Sequence, residues 1–204
     1  MIIAVEGVSC TGKTTLAADL AGRFGWETIG CYYYVADDPS VLGVPVAATE
    51  AEQLAALTAH FAIEEERARR ARAALARDGA VIMDRSVDTL LAHLGAVGRI
   101  QGLNAAARAR VMVAERISAD AAVVPDLTLL LAADPAVLAA RATTRPGLPP
   151  MYYDPLFAAH FNDHFAAPIA ARCVRLDASR GRGEVVEAAL THITQAAVTR
   201  TGRW

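Results

Sequence analysis

Apolar residues in this chain fall into short continuous runs, separated by longer stretches with helical spacing. Ile2 to Val5 is an apolar run rich in β-branched residues, which predicts a strand buried on both faces. Gly7 to Gly12 predicts a loop, and Thr14 to Phe24, with Leu16, Leu20 and Phe24 in step, a helix. Trp26 to Tyr34 reads as a second strand running into a loop, closed by Asp37-Asp38-Pro39 and continuing to about Pro45. Thr49 to Asp78 predicts a long helix with Leu54, Leu57, Phe61 and Leu75 as its stripe. Glu65–Arg69 and Glu66–Arg70 are spaced to support it, and Gly79 stops it.

Ala80 to Met83 predicts a third strand ending at Asp84-Arg85-Ser86, followed by helices over about 87–97 and 104–120. Leu127 to Ala132 is a fourth strand, and Asp134-Pro135 is a helix start. Arg145 to Pro150 is a Pro/Gly-rich loop, and Asp154-Pro155 opens a helix to about Ala167. Cys173 to Leu176 is a fifth strand, and Glu184 to Val198 a closing helix. Strands alternating with helices predict an α/β fold, a parallel sheet covered on both faces, as one domain over residues 1–204.

Composition narrows the classes. Of 204 residues 54% are hydrophobic and 21% charged, which excludes a disordered chain. A net charge of −2 argues against a nucleic-acid partner. Cys10, Cys31 and Cys173 are dispersed and lack metal-ligand spacing, so a reducing cytoplasm is expected. No run reaches membrane-spanning length, and the start MIIAVEG lacks a basic region, so neither a membrane partner nor a signal peptide is expected. Lys13 is the only lysine among 20 basic residues.

That lysine sits in Gly7-Val8-Ser9-Cys10-Thr11-Gly12-Lys13-Thr14, which fits G-x-x-x-x-G-K-[ST] at every fixed position, after a strand and opening a helix. Gly7 and Gly12 allow the backbone to approach phosphate, and the amides of Ser9, Cys10, Thr11, Gly12, Lys13, Thr14 and Thr15 face an anion at a helix start. Lys13 suits the β- and γ-phosphates and the Thr14 hydroxyl suits Mg²⁺, so ATP and Mg²⁺ are the expected cofactors.

With that loop in place, the chain resembles the thymidylate kinase and deoxynucleoside kinase group of P-loop kinases over nearly its whole length. Val5-Glu6-Gly7 is similar to the group's opening, and Gly79 to Ser86 (GAVIMDRS) to its strand ending in Asp-Arg or Glu-Arg. Pro125 to Ala132 with Asp134-Pro135 resembles the strand and helix start before its lid, here about 141–153. Tyr152 to Phe165 resembles the helix after the lid, and Leu176-Asp177 the end of the last strand. The resemblance implies a three-layer sandwich with five parallel strands ordered 2-3-1-4-5. Two places depart from it: Ser9 stands where thymidylate kinases carry Asp, and Cys31-Tyr32-Tyr33-Tyr34 replaces the acceptor signatures of both kinase types.

Candidate roles follow. Asp84 ends a strand where ligands gather, and suits Mg²⁺ or a proton from a hydroxyl, or simply a helix N-cap. Arg85 is a candidate for phosphate or acceptor, against a surface ion pair. Arg141 and Arg145 flank the lid loop, where arginines act on a transferring phosphoryl, against two solvated cations at a helix end. The resemblance implies that one arginine of the Arg67–Arg72 run, Arg67 first, points into the acceptor pocket, while the run itself reads as a solvated face. Tyr32 to Tyr34 cannot all face the core of a strand, and Tyr33 is the candidate to stack on an acceptor ring. Asp37 and Asp38 suit a general base or plain turn chemistry. His160 and His164 have metal-ligand spacing but no third ligand, and Phe157, Phe161 and Phe165 make their helix a packing element.

These residues point to a kinase moving the γ-phosphoryl of ATP to a small molecule: a nucleoside monophosphate, a nucleoside, or another alcohol such as an antibiotic or sugar intermediate. A nucleotide-dependent ATPase or switch is the competing class. A GTPase would need Asn-Lys-x-Asp, which a chain with Lys13 as its only lysine cannot contain. Oligomeric state stays open, a homodimer included. If Arg145 acts on charge that develops in transfer, Arg145→Ala lowers kcat by ~10³-fold with little change in the KM for ATP. Steady-state kinetics on the folded variant check this, and an unchanged kcat assigns Arg145 to the surface.

Overall fold

The computed structural model describes residues 1–42, 46–144 and 149–201. Among these, five strands form one sheet: β1 (Ile2–Glu6), β2 (Glu27–Ile29), β3 (Val81–Asp84), β4 (Leu127–Ala132) and β5 (Cys173–Asp177). All pairings are parallel, in the expected order β2-β3-β1-β4-β5. The helices are α1 (Lys13–Phe24), α2 (Tyr32–Val35), α3 (Glu50–Asp78), α4 (Val87–Gln101), α5 (Ala106–Ser118), α6 (Pro135–Ala142), α7 (Pro155–Asp163) and α8 (Arg182–Thr201). None is long and apolar enough to cross a membrane.

Strand alternation explains why β1 and β4 are apolar throughout. Ile3, Val5, Leu127, Leu129 and Leu131 pack on one face against Leu16 and Leu20 of α1 and Ala189 and Ile193 of α8. On the other face, Ile2, Val81 and Met83 meet Ala68, Ala71 and Ala74 of α3, while Leu130 meets Ala92 and Ala96 of α4 and the α7 phenylalanines. The three alanines of α3 are fully buried and extend its apolar stripe beyond the four large residues, because small side chains let a helix lie close to a sheet. The α3 start is capped by Thr49, which accepts from the Glu52 amide at 3.2 Å. On its outer face Glu66 bonds both Arg69 and Arg70, so Arg69 pairs with Glu66 and not with the expected Glu65.

The strand expected over Trp26 to Tyr34 is corrected. Only Glu27–Ile29 is strand, and Tyr32–Val35 is one turn of helix. The Tyr32 hydroxyl donates to Glu64 Oε2 at 2.8 Å, which pulls the segment off the sheet edge and onto α3. That long-range bond outweighs the β-propensity of three tyrosines.

A second buried contact fixes the far side. Asp88 in the first turn of α4 accepts from His164 Nε2 at 2.7 Å, from the Ile169 amide at 2.7 Å and from the Ala170 amide at 3.1 Å. His164 is thereby a structural partner of a carboxylate. Asp88→Ala strands these donors, so it should lower stability by about 3 kcal/mol. Denaturant unfolding checks this; a change below about 1 kcal/mol would mean that water replaces the carboxylate without loss.

Candidate functional site

The phosphate loop joins β1 to α1 at the carboxyl end of the sheet, where parallel sheets bind ligands. Gly7 has φ +136°, and a Cβ there would lie 2.4 Å from the Leu131 carbonyl oxygen, so only glycine seats the loop on β4. Cys10 at φ +65° and Gly12 at φ +93° complete the turn. Thr11 is buried in the loop and its hydroxyl donates to the Val8 carbonyl at 2.9 Å.

Lys13 is buried, and its ammonium donates to the Val8 carbonyl at 2.6 Å. Burial pulls its pKa down to about 7, the Arg85 charge adds to this, and Asp84 opposes it. A polyphosphate in the loop acts in the same sense as Asp84 and favours the charged form. The Thr14 hydroxyl donates to Asp84 Oδ2 at 2.7 Å, bringing together the two expected metal-binding residues. Asp84 Oδ1 is buried without a hydrogen-bond partner among the described residues. A hydroxyl and a buried carboxylate with a spare oxygen are the hard ligands Mg²⁺ takes beside phosphate and water, so the residues fit that ion. The N-cap alternative for Asp84 is excluded, since Ser86 caps α4 by accepting from the Asp88 amide at 3.2 Å.

Arg141 projects from the last turn of α6 back to the nucleotide side. It donates to the Ala178 carbonyl at 2.9 Å, after β5, and to the Cys10 carbonyl at 3.4 Å. Arg145 lies outside the described residues.

From the loop, a cavity of about 400 Å³ runs past Asp84 and Arg85 to Phe157 and Phe161. Ser9, Cys10, Gly12, Lys13, Thr14, Thr15 and Tyr33 line it as well. Arg85 has φ +73° and is half-buried, and its guanidinium bonds Thr89 Oγ1 at 3.4 Å on the cavity wall. Tyr33, half-exposed, stands at the side of the cavity.

Arg67 requires a correction. It does not line the cavity but lies beneath it, fully buried. Its Nε donates to the Gly30 carbonyl at 3.0 Å, Nη1 to Glu64 at 2.6 Å, and Nη2 to the Asp84 and Arg85 carbonyls at 3.0 and 2.6 Å. The guanidinium also sits 4.1 Å from the Tyr32 ring centre. Its donors are committed to the protein, so it is a strut of the site and not an acceptor ligand. Asp38 is likewise committed to a turn, accepting from the Ser40 amide and hydroxyl at 2.9 and 2.8 Å, and neither it nor Asp37 lines the cavity.

The far end of the cavity is built from residues that sequence patterning missed. Gln53 of α3 donates to the Leu94 carbonyl at 3.0 Å, which fixes its amide and leaves Oε1 buried and unpartnered among the described residues. His93 pairs with the Tyr152 hydroxyl at 2.9 Å, and burial lowers its pKa to about 4, so it is neutral at pH 7. His60 contacts the Ala56 carbonyl through Nδ1 at 2.7 Å, and burial lowers its pKa too. The signal available was polar residues on apolar helix faces: Gln53 and His60 interrupt the stripe of α3, and His93 that of α4.

No protein-family model matches the chain, and no curated protein matches it. Solved structures do. A deoxyadenosine kinase from M. mycoides with bound dATP superposes with a TM-score of 0.69 at 12% identity, over 95% of this chain and 99% of that one. The same kinase with the products dCMP and dCDP gives 0.64 at 14%, over 96% and 100%. With bound dCTP it gives 0.62 at 13%, also over 96% and 100%. At this level of identity the likeness is one of architecture: the chain has the P-loop kinase fold of these deoxyadenosine kinase structures.

Proposed function

We propose that this protein is an ATP- and Mg²⁺-dependent kinase that transfers the γ-phosphoryl group to a hydroxyl of an uncharged, nucleoside-sized acceptor. One observation carries this reading: the phosphate loop opens directly onto a cavity of about 400 Å³ whose far end is aromatic and neutral. A nucleoside monophosphate would need cations to hold its phosphate. Among the described residues Arg85 is the guanidinium on that wall, whereas Arg67, the other candidate, is spent on backbone carbonyls. The fold-related kinase with dATP, dCTP and dCMP supports a nucleoside as acceptor. The tyrosine turn in place of both family acceptor signatures keeps a non-nucleotide alcohol as the second reading.

In this reading the loop amides and Lys13 cradle the β- and γ-phosphates. Thr14 and Asp84 would hold Mg²⁺, which would neutralise charge on the phosphates. Arg85 faces the transferring group from the acceptor side and Arg141 from the nucleotide side. Among the described residues Asp84 is the carboxylate that lines the cavity, and taking the hydroxyl proton is its alternative to holding the metal. Tyr33, Tyr152 and Phe157 offer faces for a ring, and Gln53 Oε1 accepts from a donor on it.

Acceptor-dependent ADP release measures this directly, with deoxyadenosine, deoxycytidine, thymidine and their 5′-monophosphates tested in parallel with ATP and Mg²⁺. Stimulation by monophosphates alone would refute the uncharged acceptor, and ADP release indifferent to every acceptor would refute the kinase. Lys13→Ala should abolish transfer while the protein remains folded, because it removes the ammonium from the charge that develops in transfer. Near-normal turnover would refute the phosphate-loop assignment. Asp84→Asn keeps an oxygen for the Thr14 hydroxyl but loses the charge. It should lower kcat by ~10²-fold or more and raise the Mg²⁺ requirement, with little change in melting temperature. A large loss of stability at normal specific activity would make Asp84 structural.

A further inference from the structure

Glu6 is the last residue of β1, just before the phosphate loop, and is fully buried. It does not line the cavity. The four residues before it are apolar, and an apolar side chain would fill the same space without removing a charge from water. Its partners show where the carboxylate is directed. Oε1 accepts from the Ser86 amide at 2.7 Å and the Ser86 hydroxyl at 2.8 Å, and Oε2 accepts from the Thr89 hydroxyl. All three donors are neutral and lie in the segment immediately after Asp84 and Arg85.

That segment is under strain and held from several sides. Arg85 is left-handed at φ +73°, a conformation a non-glycine residue keeps only when its surroundings enforce it. The Arg85 amide donates to the Val5 carbonyl at 3.1 Å, and Arg67 takes the Asp84 and Arg85 carbonyls. Glu6 takes the next amide. It also holds Thr89, the residue that the Arg85 guanidinium touches on the cavity wall. The Glu6 charge favours the protonated forms of both Arg85 and Lys13, and burial in turn pushes the Glu6 carboxyl pKa up, against its hydrogen bonds and Arg85.

We propose that Glu6 is a positioning residue for phosphoryl transfer: its buried carboxylate locks the Asp84–Ser86 turn and, through Thr89, aims the Arg85 guanidinium into the cavity while offsetting its charge. The inference rests on the kinase reading for its mechanism, but its placement of Asp84 can be tested by nucleotide binding alone.

Glu6→Gln is the decisive variant. Its Oε1 can still accept from Ser86 and its amide can donate to the Thr89 hydroxyl oxygen, so shape and connectivity remain while the charge is lost. With the best acceptor of the nucleoside panel, kcat should fall about tenfold or more, with the KM for ATP within about threefold and the melting temperature near that of the wild type. Combined with Arg85→Ala, it should add less than its own effect in the wild type, because the two changes share the Arg85 function. A kcat within about twofold of wild type in folded Glu6→Gln, or an effect that multiplies fully with Arg85→Ala, overturns the proposal. Ser86→Ala, which removes one donor to Glu6 together with the α4 cap and leaves β1 intact, gives the same reading if Glu6→Gln does not fold, with its melting temperature measured beside the kinetics. It should lower kcat about threefold, and an unchanged kcat overturns the proposal.

If no acceptor supports turnover by the wild type, the kinase reading fails separately. Titration with a fluorescent ATP analogue at increasing Mg²⁺ then decides the positioning role. Glu6→Gln, or Ser86→Ala in its place, should need about fivefold more Mg²⁺ for half-maximal binding, and an unchanged requirement overturns the proposal.

Discussion

A guanidinium sealed inside the protein ties the carboxyl ends of two strands together. Arg67 reaches from α3 to the carbonyls of Gly30, after β2, and of Asp84 and Arg85, at the end of β3. Strand ends expose carbonyls that the sheet does not satisfy, and burying them unpaired would be costly. An arginine with five donors in a rigid fork can serve three of them and still hold Glu64. The counter-charge has its own cost: burial raises the Glu64 carboxyl pKa against the pull of Arg67, and one of its oxygens lacks a partner among the described residues. Such a pair contributes specificity of arrangement more than net stability. What it specifies here is the place of Asp84 and Arg85, and through Glu64 and Tyr32 the turn that walls the cavity.

Around that strut the site divides by charge. At the loop end Lys13 and Arg141 both bond carbonyls of the phosphate loop, with the Thr14–Asp84 pair beside them. At the far end of the cavity the polar groups among the described residues are neutral: an amide, two imidazoles whose pKa burial lowers, and tyrosine hydroxyls. The boundary falls at Arg85. On the proposed reading, charge developing in phosphoryl transfer is met by fixed cations, while the other half of the cavity selects by shape and hydrogen bonding.

The sheet was legible because its strands are buried on both faces, so each of the central ones appears as an unbroken apolar run. The phosphate loop was legible because its chemistry needs fixed residue types at fixed spacing. Asp84 and Arg141 could be placed from their positions beside those elements. Arg67 could not: on the sequence it is one arginine in a charged run, and only the approach of α3 to the ends of β2 and β3 separates it from Arg69 and Arg70, which stay in solvent. Tyr32 was missed for the same reason, since its partner Glu64 lies 32 residues away. Gln53, His60 and His93 carry no motif, and their importance comes from α3 and α4 bringing them to the wall of one cavity.

The sole lysine has a consequence for the chemistry of the whole surface. With every other basic side chain an arginine, no exposed lysine amine is offered to acylating agents, and the amino-terminal ammonium is itself engaged with the Gly79 carbonyl at 2.6 Å. Lysine-directed acylation therefore has a single side-chain target in this protein, and that target is buried in the phosphate cradle. A mass shift on Lys13 is in effect a direct record of whether the cradle was open or shielded when the reagent arrived.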